Sequence, residues 1–335
     1  MPLEAPAFWY RDGSALASAF APLGRLYGRI VEARAARIEP YRSLLPVICV
    51  GNFTAGGAGK TPAVIAIAKL LASGGARPYV LTRGYGGANK GPVRVGEGMD
   101  AAQVGDEPLL LAQAAPTIVA ADRVAGAKAI EATDATAILM DDGFQNPSLA
   151  KELSLIVVDA GAGIGNGLVM PAGPLRAPLA AQIARADALL VVGEGSKAAS
   201  LAEAFARAGK PVLTARIVPD CDPRWLGVLP VIAFAGIGRP EKAFATLRAN
   251  GAGLIATHAF PDHHRYTERE ARRLLDEAQA KGAMLVTTAK DWARLPDAEG
   301  TAQSELKHRS RPFPIALKFD DEAAVTELLA TALKQ

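Results

Sequence analysis

Short continuous apolar runs alternate with longer segments of helical periodicity over most of this 335-residue chain. Strands that are buried on both faces show such runs instead of alternating apolar and polar residues. The first runs occupy residues 46–50, 79–81, 117–120, 137–140, 155–158 and 188–192. Helices between these strands would cover both faces of a parallel sheet, so the pattern predicts the α/β fold class.

A proline-rich stretch near residues 217–230 interrupts this alternation and predicts a linker. Beyond it, Thr267 and Glu270 form a capping-box pattern that predicts a further helix. Apolar runs follow again at residues 231–235, 254–258, 284–288 and 315–319. We therefore predict a larger α/β domain over residues 41–220 and a smaller α/β domain over residues 221–335.

The first forty residues have a different pattern, in which apolar side chains recur at spacings of four, three, four and three. This stripe consists of Leu16, Phe20, Leu23, Tyr27 and Ile30. It predicts one apolar face of an amphipathic helix within residues 1–40. Such a helix could lie on an anionic membrane surface or pack on its own domain, and periodicity alone does not choose between the two. No apolar run reaches eighteen residues, so we predict no spanning helix.

Composition narrows the possible functions. Half of the residues are apolar, which allows a substantial core, and the net charge of +3 is too small to indicate nucleic-acid binding. The two cysteines, Cys49 and Cys221, form no CxxC pair and favour buried thiols in a reducing compartment over a disulfide framework.

The clearest chemical signal lies between the run at 46–50 and an Ala/Ile/Leu-rich segment at 63–71 that predicts a helix. Its sequence is Thr54-Ala55-Gly56-Gly57-Ala58-Gly59-Lys60-Thr61. A strand, a glycine loop, Lys-Thr and a helix form the context of a phosphate-binding loop, in which backbone N–H groups and the helix N-terminus surround phosphate oxygens. Lys60 could reach the outer phosphates and Thr61 could bind Mg²⁺, so we predict ATP and Mg²⁺ as cofactors. The alternative is an ordinary glycine-rich turn, since Thr54 stands where the common pattern has glycine.

Two acidic pairs are further candidates. Asp141 and Asp142 end the apolar run at 137–140, where a carboxylate of a nucleotide-binding fold holds magnesium. The alternative is that these residues only cap the next turn. Asp106 and Glu107 begin a predicted helix, a position that carboxylates also favour through the helix dipole alone.

Basic and imidazole side chains follow several predicted strands. His263 and His264 lie beyond the run at 254–258, where parallel sheets bind ligands, although surface histidines are an equal alternative. Arg83, Arg123 and Arg176 lie after strands or at helix starts. Each could contact phosphate through two N–H groups, or could be an ordinary surface arginine.

Together these segments resemble one family, the tetraacyldisaccharide 4'-kinases, from about residue 46 to residue 291. The resemblance rests on Gly51-Asn52-Phe53-Thr54-Ala55-Gly56-Gly57-Ala58-Gly59-Lys60-Thr61-Pro62, Thr82-Arg83-Gly84-Tyr85-Gly86, Val104-Gly105-Asp106-Glu107-Pro108, Asp141-Asp142-Gly143-Phe144-Gln145, Pro171-Ala172-Gly173-Pro174-Leu175-Arg176, Asp262-His263 and Thr287-Thr288-Ala289-Lys290-Asp291. The ordered series of motifs is far more specific than any one of them.

The resemblance implies a P-loop NTPase-like domain, a smaller α/β domain and ATP-dependent phosphorylation of the 4'-hydroxyl of tetraacyldisaccharide 1-phosphate, which gives lipid IVA. It implies that Asp106 takes the hydroxyl proton with His263 as its partner. Nucleotide binding would use residues 54–61 with Arg83, Arg123 and Gln145, and magnesium binding would use Thr61, Asp141 and Asp142. The chain departs from the family pattern at Ala177, Asn146 and Ala289.

The resemblance also favours the membrane interpretation of the N-terminal helix, because an acylated substrate stays in the bilayer. It implies a peripheral or monotopic protein on the cytoplasmic face of the inner membrane. We expect an acylated disaccharide lipid as substrate, no nucleic acid and no obligate protein partner. Two rival functions are a nucleotide-hydrolysing switch or metallochaperone, disfavoured because Ala55 stands where that class has lysine, and a kinase for a soluble small molecule.

Overall fold

The computed structural model of the protein describes residues 6–11, 13–56, 59–297 and 300–334. The strands are β1 Val47–Gly51, β2 Pro78–Thr82, β3 Val93–Arg94, β4 Thr117–Val119, β5 Ala137–Asp141, β6 Leu153–Asp159, β7 Ala188–Val192, β8 Val212–Pro219, β9 Val231–Ala235, β10 Leu254–Ala259, β11 Met284–Thr288, β12 Ser310–Phe313 and β13 Ile315–Phe319. The α-helices are α1 Ala15–Ala35, α2 Lys60–Ser73, α3 Ala101–Val104, α4 Asp106–Leu111, α5 Arg123–Glu131, α6 Leu179–Arg185, α7 Ala199–Arg207, α8 Pro240–Ala249, α9 Glu268–Lys281, α10 Ala289–Arg294, α11 Ala302–Arg309 and α12 Glu322–Leu333.

The larger sheet has nine strands in the order β13-β8-β7-β6-β1-β5-β2-β4-β3. Its inner strands are parallel, and only the edge strands β13 and β3 pair in the antiparallel sense. The central strand β1 is buried at every position and lies between β6 and β5. Apolar clusters cover both faces of the sheet, which explains the continuous apolar runs and confirms the predicted α/β class.

The smaller sheet contains four parallel strands in the order β10-β9-β11-β12. We predicted that residues 315–319 belong to this smaller unit, and that prediction is wrong. Strand β13 pairs with β8 at the edge of the larger sheet, and α12 packs into the core of that sheet through Val325 and Leu329. An apolar strand suits either sheet equally well, so its sequence does not reveal its partner. The domain division near residue 220 itself remains a prediction.

The N-terminal helix α1 packs through its small side chains on the segment between β6 and α6. A Cβ atom on Gly24 would lie 2.5 Å from the carbonyl oxygen of Val169, and one on Gly28 would lie 3.0 Å from Pro178. Glycine therefore permits this close approach. The predicted apolar stripe points away from the protein, with Leu16, Leu23 and neighbouring apolar side chains exposed. The alternative in which the stripe packs on its own domain is thus wrong.

Among the described residues we find no helix that combines the length and the apolarity needed to cross a bilayer.

Candidate active site

The predicted phosphate loop lies between the end of β1 and the start of α2 at Lys60, at the centre of the larger sheet. Its first half is fixed by two backbone hydrogen bonds. The Ala55 N–H donates to the Pro174 carbonyl at 2.8 Å, and the Arg176 N–H donates to the Phe53 carbonyl at 3.0 Å. Thr54, Ala55, Gly56 and Gly59 therefore occupy the predicted strand-to-helix connection, whereas Gly57 and Ala58 lie outside the described residues.

Lys60 and Thr61 begin α2 beside the acidic residues of neighbouring elements. The Lys60 ammonium lies 3.5 Å from a carboxylate oxygen of Asp142, and the Arg176 guanidinium lies 3.4 Å from the same carboxylate. The Thr61 hydroxyl donates to Glu107 at 3.4 Å. The structure thus places Lys60 beside Asp142, one of the predicted magnesium ligands. The Thr61 hydroxyl instead contacts Glu107, which is not among the predicted ligands.

Asp141 ends β5 and is buried next to other carboxylates. Thr82 donates a hydrogen bond to it at 3.0 Å. Burial raises the pKa of Asp141 to about 7, and the nearby negative charges of Glu107 and Asp142 add to this effect. A divalent cation would relieve this crowding of carboxylates. The oxygen donors of Thr61, Asp141 and Asp142 suit Mg²⁺, which usually takes one or two carboxylates together with substrate phosphates.

Asp106 is the first residue of α4, and a neighbouring glycine sets its position. Gly105 has φ of +93°, and a Cβ atom there would lie 2.5 Å from the Tyr85 carbonyl oxygen. Only glycine satisfies both conditions. The Asp106 carboxylate does not cap its own helix. It contacts two residues that follow strands of the smaller sheet, His263 and Arg294. Its contacts therefore differ from those of a simple helix-start acid.

His263 Nδ1 lies 3.2 Å from Asp106 Oδ1, and its ring lies 5.2 Å from the ring of Tyr85. The hydrogen bond to Asp106 raises the pKa of His263 despite burial. Burial alone would raise the pKa of Asp106, but the His263 hydrogen bond and the Arg294 charge outweigh it and lower that pKa. In the described part of the chain, positive φ occurs outside glycine only at Asp142 and His263. Backbone strain of this kind concentrates at functional sites.

His264 has a different environment. Its Nε2 atom lies 3.0 Å from Glu270, near the start of α9, and its ring stacks on Phe260 at 4.9 Å. These contacts lie between the end of β10 and the start of α9, so the two adjacent histidines have separate partners. The structure places His263 at the acidic cluster and His264 in local packing.

The remaining nucleotide-binding candidates occupy unlike environments. Arg83 is exposed, as a surface arginine would be. Arg123 is 4% exposed and donates to the Ala120 carbonyl, so the surface alternative is wrong for it. Gln145 donates to Gln182 on α6 at 2.5 Å. The side-chain amide of Gln145 thus contacts a helix of the same domain.

Two cationic residues of α10 receive no role in the sequence analysis, although Lys290 lies in one of the motifs that carry the family resemblance. Lys290 lies 2.5 Å from Glu107, and Arg294 lies 2.5 Å from Asp106. They are four residues apart on one helix and bind two adjacent acids on α4. The spacing of four places both on one helix face and is a signal in the sequence, although it does not reveal the partner.

A second contact between the two sheets lies on the other side of the phosphate loop. Asp159, at the end of β6, pairs with Lys242 and lies 3.3 Å from Arg239. A cavity of about 880 Å³ adjoins Asp159, Arg239 and the first half of the phosphate loop, Thr54 to Gly56. The cavity therefore lies on the β6 side of β1, whereas Asp141 lies on the β5 side.

The model of the tetraacyldisaccharide-1-P 4'-kinase family matches residues 16–334, which is nearly the whole chain. The chain belongs to the tetraacyldisaccharide 4'-kinase family. A tetraacyldisaccharide 4'-kinase from Methylobacterium nodulans is 56% identical over 338 residues, covering 99% of this chain and 96% of the relative. One from Bradyrhizobium diazoefficiens is 49% identical over 333 residues, covering 99% of this chain and 97% of the relative.

A solved member of the family also has this fold. The "apo" form of LpxK from Aquifex aeolicus, crystallised in complex with ATP, is 25% identical and superimposes with a TM-score of 0.71. The match covers 95% of this chain and 99% of that chain. The solved family member therefore matches both the larger P-loop-like sheet and the smaller sheet of this chain.

Two of the three departures from the family pattern make local contacts. Ala177 is buried, and its carbonyl accepts a hydrogen bond from Gln182 at 2.8 Å. The Asn146 side chain accepts from the Ser148 backbone N–H at 2.9 Å and so supports a turn. Both positions have structural contacts of their own in this chain.

Proposed function

We propose that this protein transfers the γ-phosphate of ATP to the 4'-hydroxyl of tetraacyldisaccharide 1-phosphate and so forms lipid IVA. One observation of the site geometry supports the proposal in addition to family membership. The phosphate loop with Lys60 and the Asp106–His263 pair lie around the same group of carboxylates, since Glu107 contacts Thr61 and adjoins Asp106. A phosphate donor and a hydroxyl acceptor can therefore meet there.

The nucleotide would extend across the end of β1. The cavity on the β6 side would hold the nucleoside, because it adjoins Thr54 to Gly56 and has apolar walls such as Phe53 and Ile237. The triphosphate would follow the loop toward Lys60, whose ammonium neutralises phosphate charge. Thr61, Asp141 and Asp142 would hold the magnesium ion. When bound, Mg²⁺ neutralises phosphate charge and helps to orient the transferred group.

The acceptor hydroxyl would lie against the Asp106–His263 pair. Phosphoryl transfer has a loose transition state, so the hydroxyl loses its proton late and positioning matters more than base strength. A carboxylate with a lowered pKa can therefore position the hydroxyl and accept its proton late, because it is ionised and held in place. The imidazole of His263 lies 3.2 Å from one oxygen of the same carboxylate and can share the proton that this oxygen receives.

Label transfer from γ-labelled ATP tests this function. With tetraacyldisaccharide 1-phosphate in mixed micelles, we expect the label to appear in the lipid and to depend on Mg²⁺. Label released only as free phosphate would favour the nucleotide-hydrolysing switch. Transfer to a soluble sugar but not to the lipid would favour a kinase for a small molecule.

The two histidines should differ in their kinetic importance. We expect His263→Asn to lower kcat by about 10- to 100-fold, because an asparagine amide cannot take up or release a proton as imidazole does. Asparagine tolerates the positive φ at this position, so the backbone should keep its conformation. His264→Ala should leave kcat nearly unchanged and lower the melting temperature, since its partners lie within the smaller domain. Steady-state kinetics and thermal unfolding measure both effects. The reverse ranking would mean that His264 is the imidazole at the reacting hydroxyl.

We propose that α1 lies on the membrane surface and brings the site to its lipid substrate. Its apolar stripe is exposed, with Leu16 58% and Leu23 52% accessible, while Gly24 and Gly28 face the protein. Exposed arginines on the same helix, such as Arg25, would contact anionic lipid head groups. This arrangement is typical of a helix that lies in the interface.

The membrane proposal predicts a binding defect without a folding defect. The double change Leu16→Glu and Leu23→Glu should weaken binding to anionic vesicles by at least about 100-fold, because each buried leucine contributes about 2 kcal/mol. The melting temperature should change little, since both side chains are exposed. Leu44→Glu is the matched control, because Leu44 is 86% exposed but lies outside α1. Unchanged vesicle sedimentation of the double variant would contradict the proposal.

A further inference from the structure

We propose that Arg294 is a positioning residue that holds the Asp106 carboxylate in its reactive orientation and makes this orientation depend on docking of the smaller domain. The inference rests on the proposed kinase function. Arg294 lies on α10, whereas Asp106 lies 188 residues earlier on α4. Both side chains are 5% exposed, so this contact is shielded from water.

The guanidinium of Arg294 contacts only one of the two carboxylate oxygens of Asp106. Its Nε atom donates to Oδ2 at 2.9 Å and its NH2 group donates to the same oxygen at 2.5 Å. The other oxygen, Oδ1, faces His263 at 3.2 Å. Rotation of the carboxylate would break the bonds to Arg294. Oδ1 is consequently the oxygen that can share a hydroxyl proton with His263.

Arg294 is itself held from several directions within the smaller domain. Its NH1 group donates to the Gly236 carbonyl at 2.6 Å and to Asp291 at 2.9 Å. Asp291 is fully buried and also accepts from Tyr266 at 2.9 Å and from Thr288 at 2.6 Å. These bonds connect the ends of β9 and β11, so the guanidinium cannot shift alone. A single point charge could not replace this planar arrangement.

The contact also couples the two sheets. One helical turn before Arg294 on α10, Lys290 pairs with Glu107, the residue after Asp106. Helix α10 thus contacts both acids at the start of α4. If the elements of the smaller sheet were to move away from α4, Asp106 would lose Arg294 and His263 together, because both follow strands of that sheet. The acceptor site is therefore complete only when the domains are docked.

Arg294 also affects the proton affinity of the pair. The charged and titratable groups around Asp106 and His263 are Arg294, Lys290 and Asp291 on α10, Glu107 on α4, Tyr85 beyond β2, and Asp262 and Tyr266 beyond β10. The positive charge of Arg294 lowers the pKa of Asp106 and also lowers that of His263. Both effects keep the pair deprotonated at lower pH. Loss of that charge should therefore move the acid limb of the kcat/KM profile to higher pH.

The test compares Arg294→Lys and Arg294→Gln with the wild-type chain in the lipid phosphorylation assay. We expect Arg294→Lys to lower kcat by about 10-fold, which is less than the full rate contribution of a positioned acid–base group. The KM for ATP should not change. Arg294→Gln should also move the acid limb up by about one pH unit, the effect of losing one nearby opposite charge. If Arg294→Gln does not fold, Arg294→Lys still tests the kcat effect, since it keeps a charge beside Asp291.

Two comparisons separate positioning from a merely structural role. Arg272→Gln is the matched control, because Arg272 pairs with Glu305 at 3.0 Å on the smaller domain surface and should leave kcat and the pH profile unchanged. Adding Arg294→Gln to Asp106→Asn should cause no further loss of kcat, since Arg294 acts through Asp106. If the kcat losses of the two single variants multiplied in the double variant, or if Arg294→Lys left kcat unchanged, this inference would be wrong while the proposed function would stand. If wild-type protein transfers no label to lipid, the proposed function fails and this inference fails with it.

Discussion

Asp106→Asn should lower kcat by about 10³-fold, within the range for a positioned acid–base group, while the KM for ATP stays within about twofold. Asparagine has nearly the same shape, so it can still accept a hydrogen bond from Arg294. It cannot accept the proton of the sugar hydroxyl. Because Asp106 contacts His263 and Arg294 and not the phosphate loop, ATP binding should persist.

Asp122→Asn is the matched control for this change. Asp122 also lies at a helix start, where its carboxylate accepts from the backbone N–H groups of Val124 and Ala125. Asparagine caps helices about as well as aspartate, so stability and kcat should both persist. If Asp106→Asn behaved like Asp122→Asn, the carboxylate of Asp106 would serve only its helix and the proposed proton acceptor would be wrong.

Lys60→Ala should lower kcat/KM for ATP by about 10³-fold, because removing one preorganised charge at a developing anion costs about this much. Lys60 is the first residue of α2, and its ammonium lies among the carboxylates that surround the loop. The substitution should not unfold the protein, since Asp142 keeps its ion pair with Arg176. Steady-state kinetics and calorimetric ATP binding measure the loss.

Lys69→Met on the same helix is the control for Lys60→Ala. Lys69 lies at the surface and only approaches Asp220 at 3.9 Å, so its loss should change neither ATP binding nor turnover. Near-normal kcat/KM in Lys60→Ala would mean that the triphosphate is held elsewhere. Equal defects in both variants would indicate a general effect on α2.

The parts of the site that could be predicted from the sequence depend on local chain order. The phosphate loop follows β1 and precedes α2, so the sequence of strand, glycine loop and helix determines its position. Asp141 ends the neighbouring parallel strand β5 and Asp142 follows it, and the carboxyl ends of parallel strands meet at one edge of a sheet. Lys60 and Asp142 therefore approach one another as the sequence indicates.

Contacts between the two sheets could not be derived from spacing. Asp106 and His263 are 157 residues apart, and only the family resemblance paired them. Arg294 shares a helix face with Lys290, but that spacing does not reveal its partner, which depends on how α10 packs against α4. The periodicity of α1 defined an apolar face but not its direction, which Gly24 and Gly28 decide through close packing.

A structure with Mg²⁺ and a non-hydrolysable ATP analogue tests the central claim most directly, because it locates the γ-phosphate relative to Asp106. We predict that the γ-phosphate lies beside Lys60 and faces the Asp106–His263 pair, with room between them for one sugar hydroxyl. A triphosphate bound away from residues 54–61, or a γ-phosphate directed toward Asp159 on the β6 side, would contradict the account.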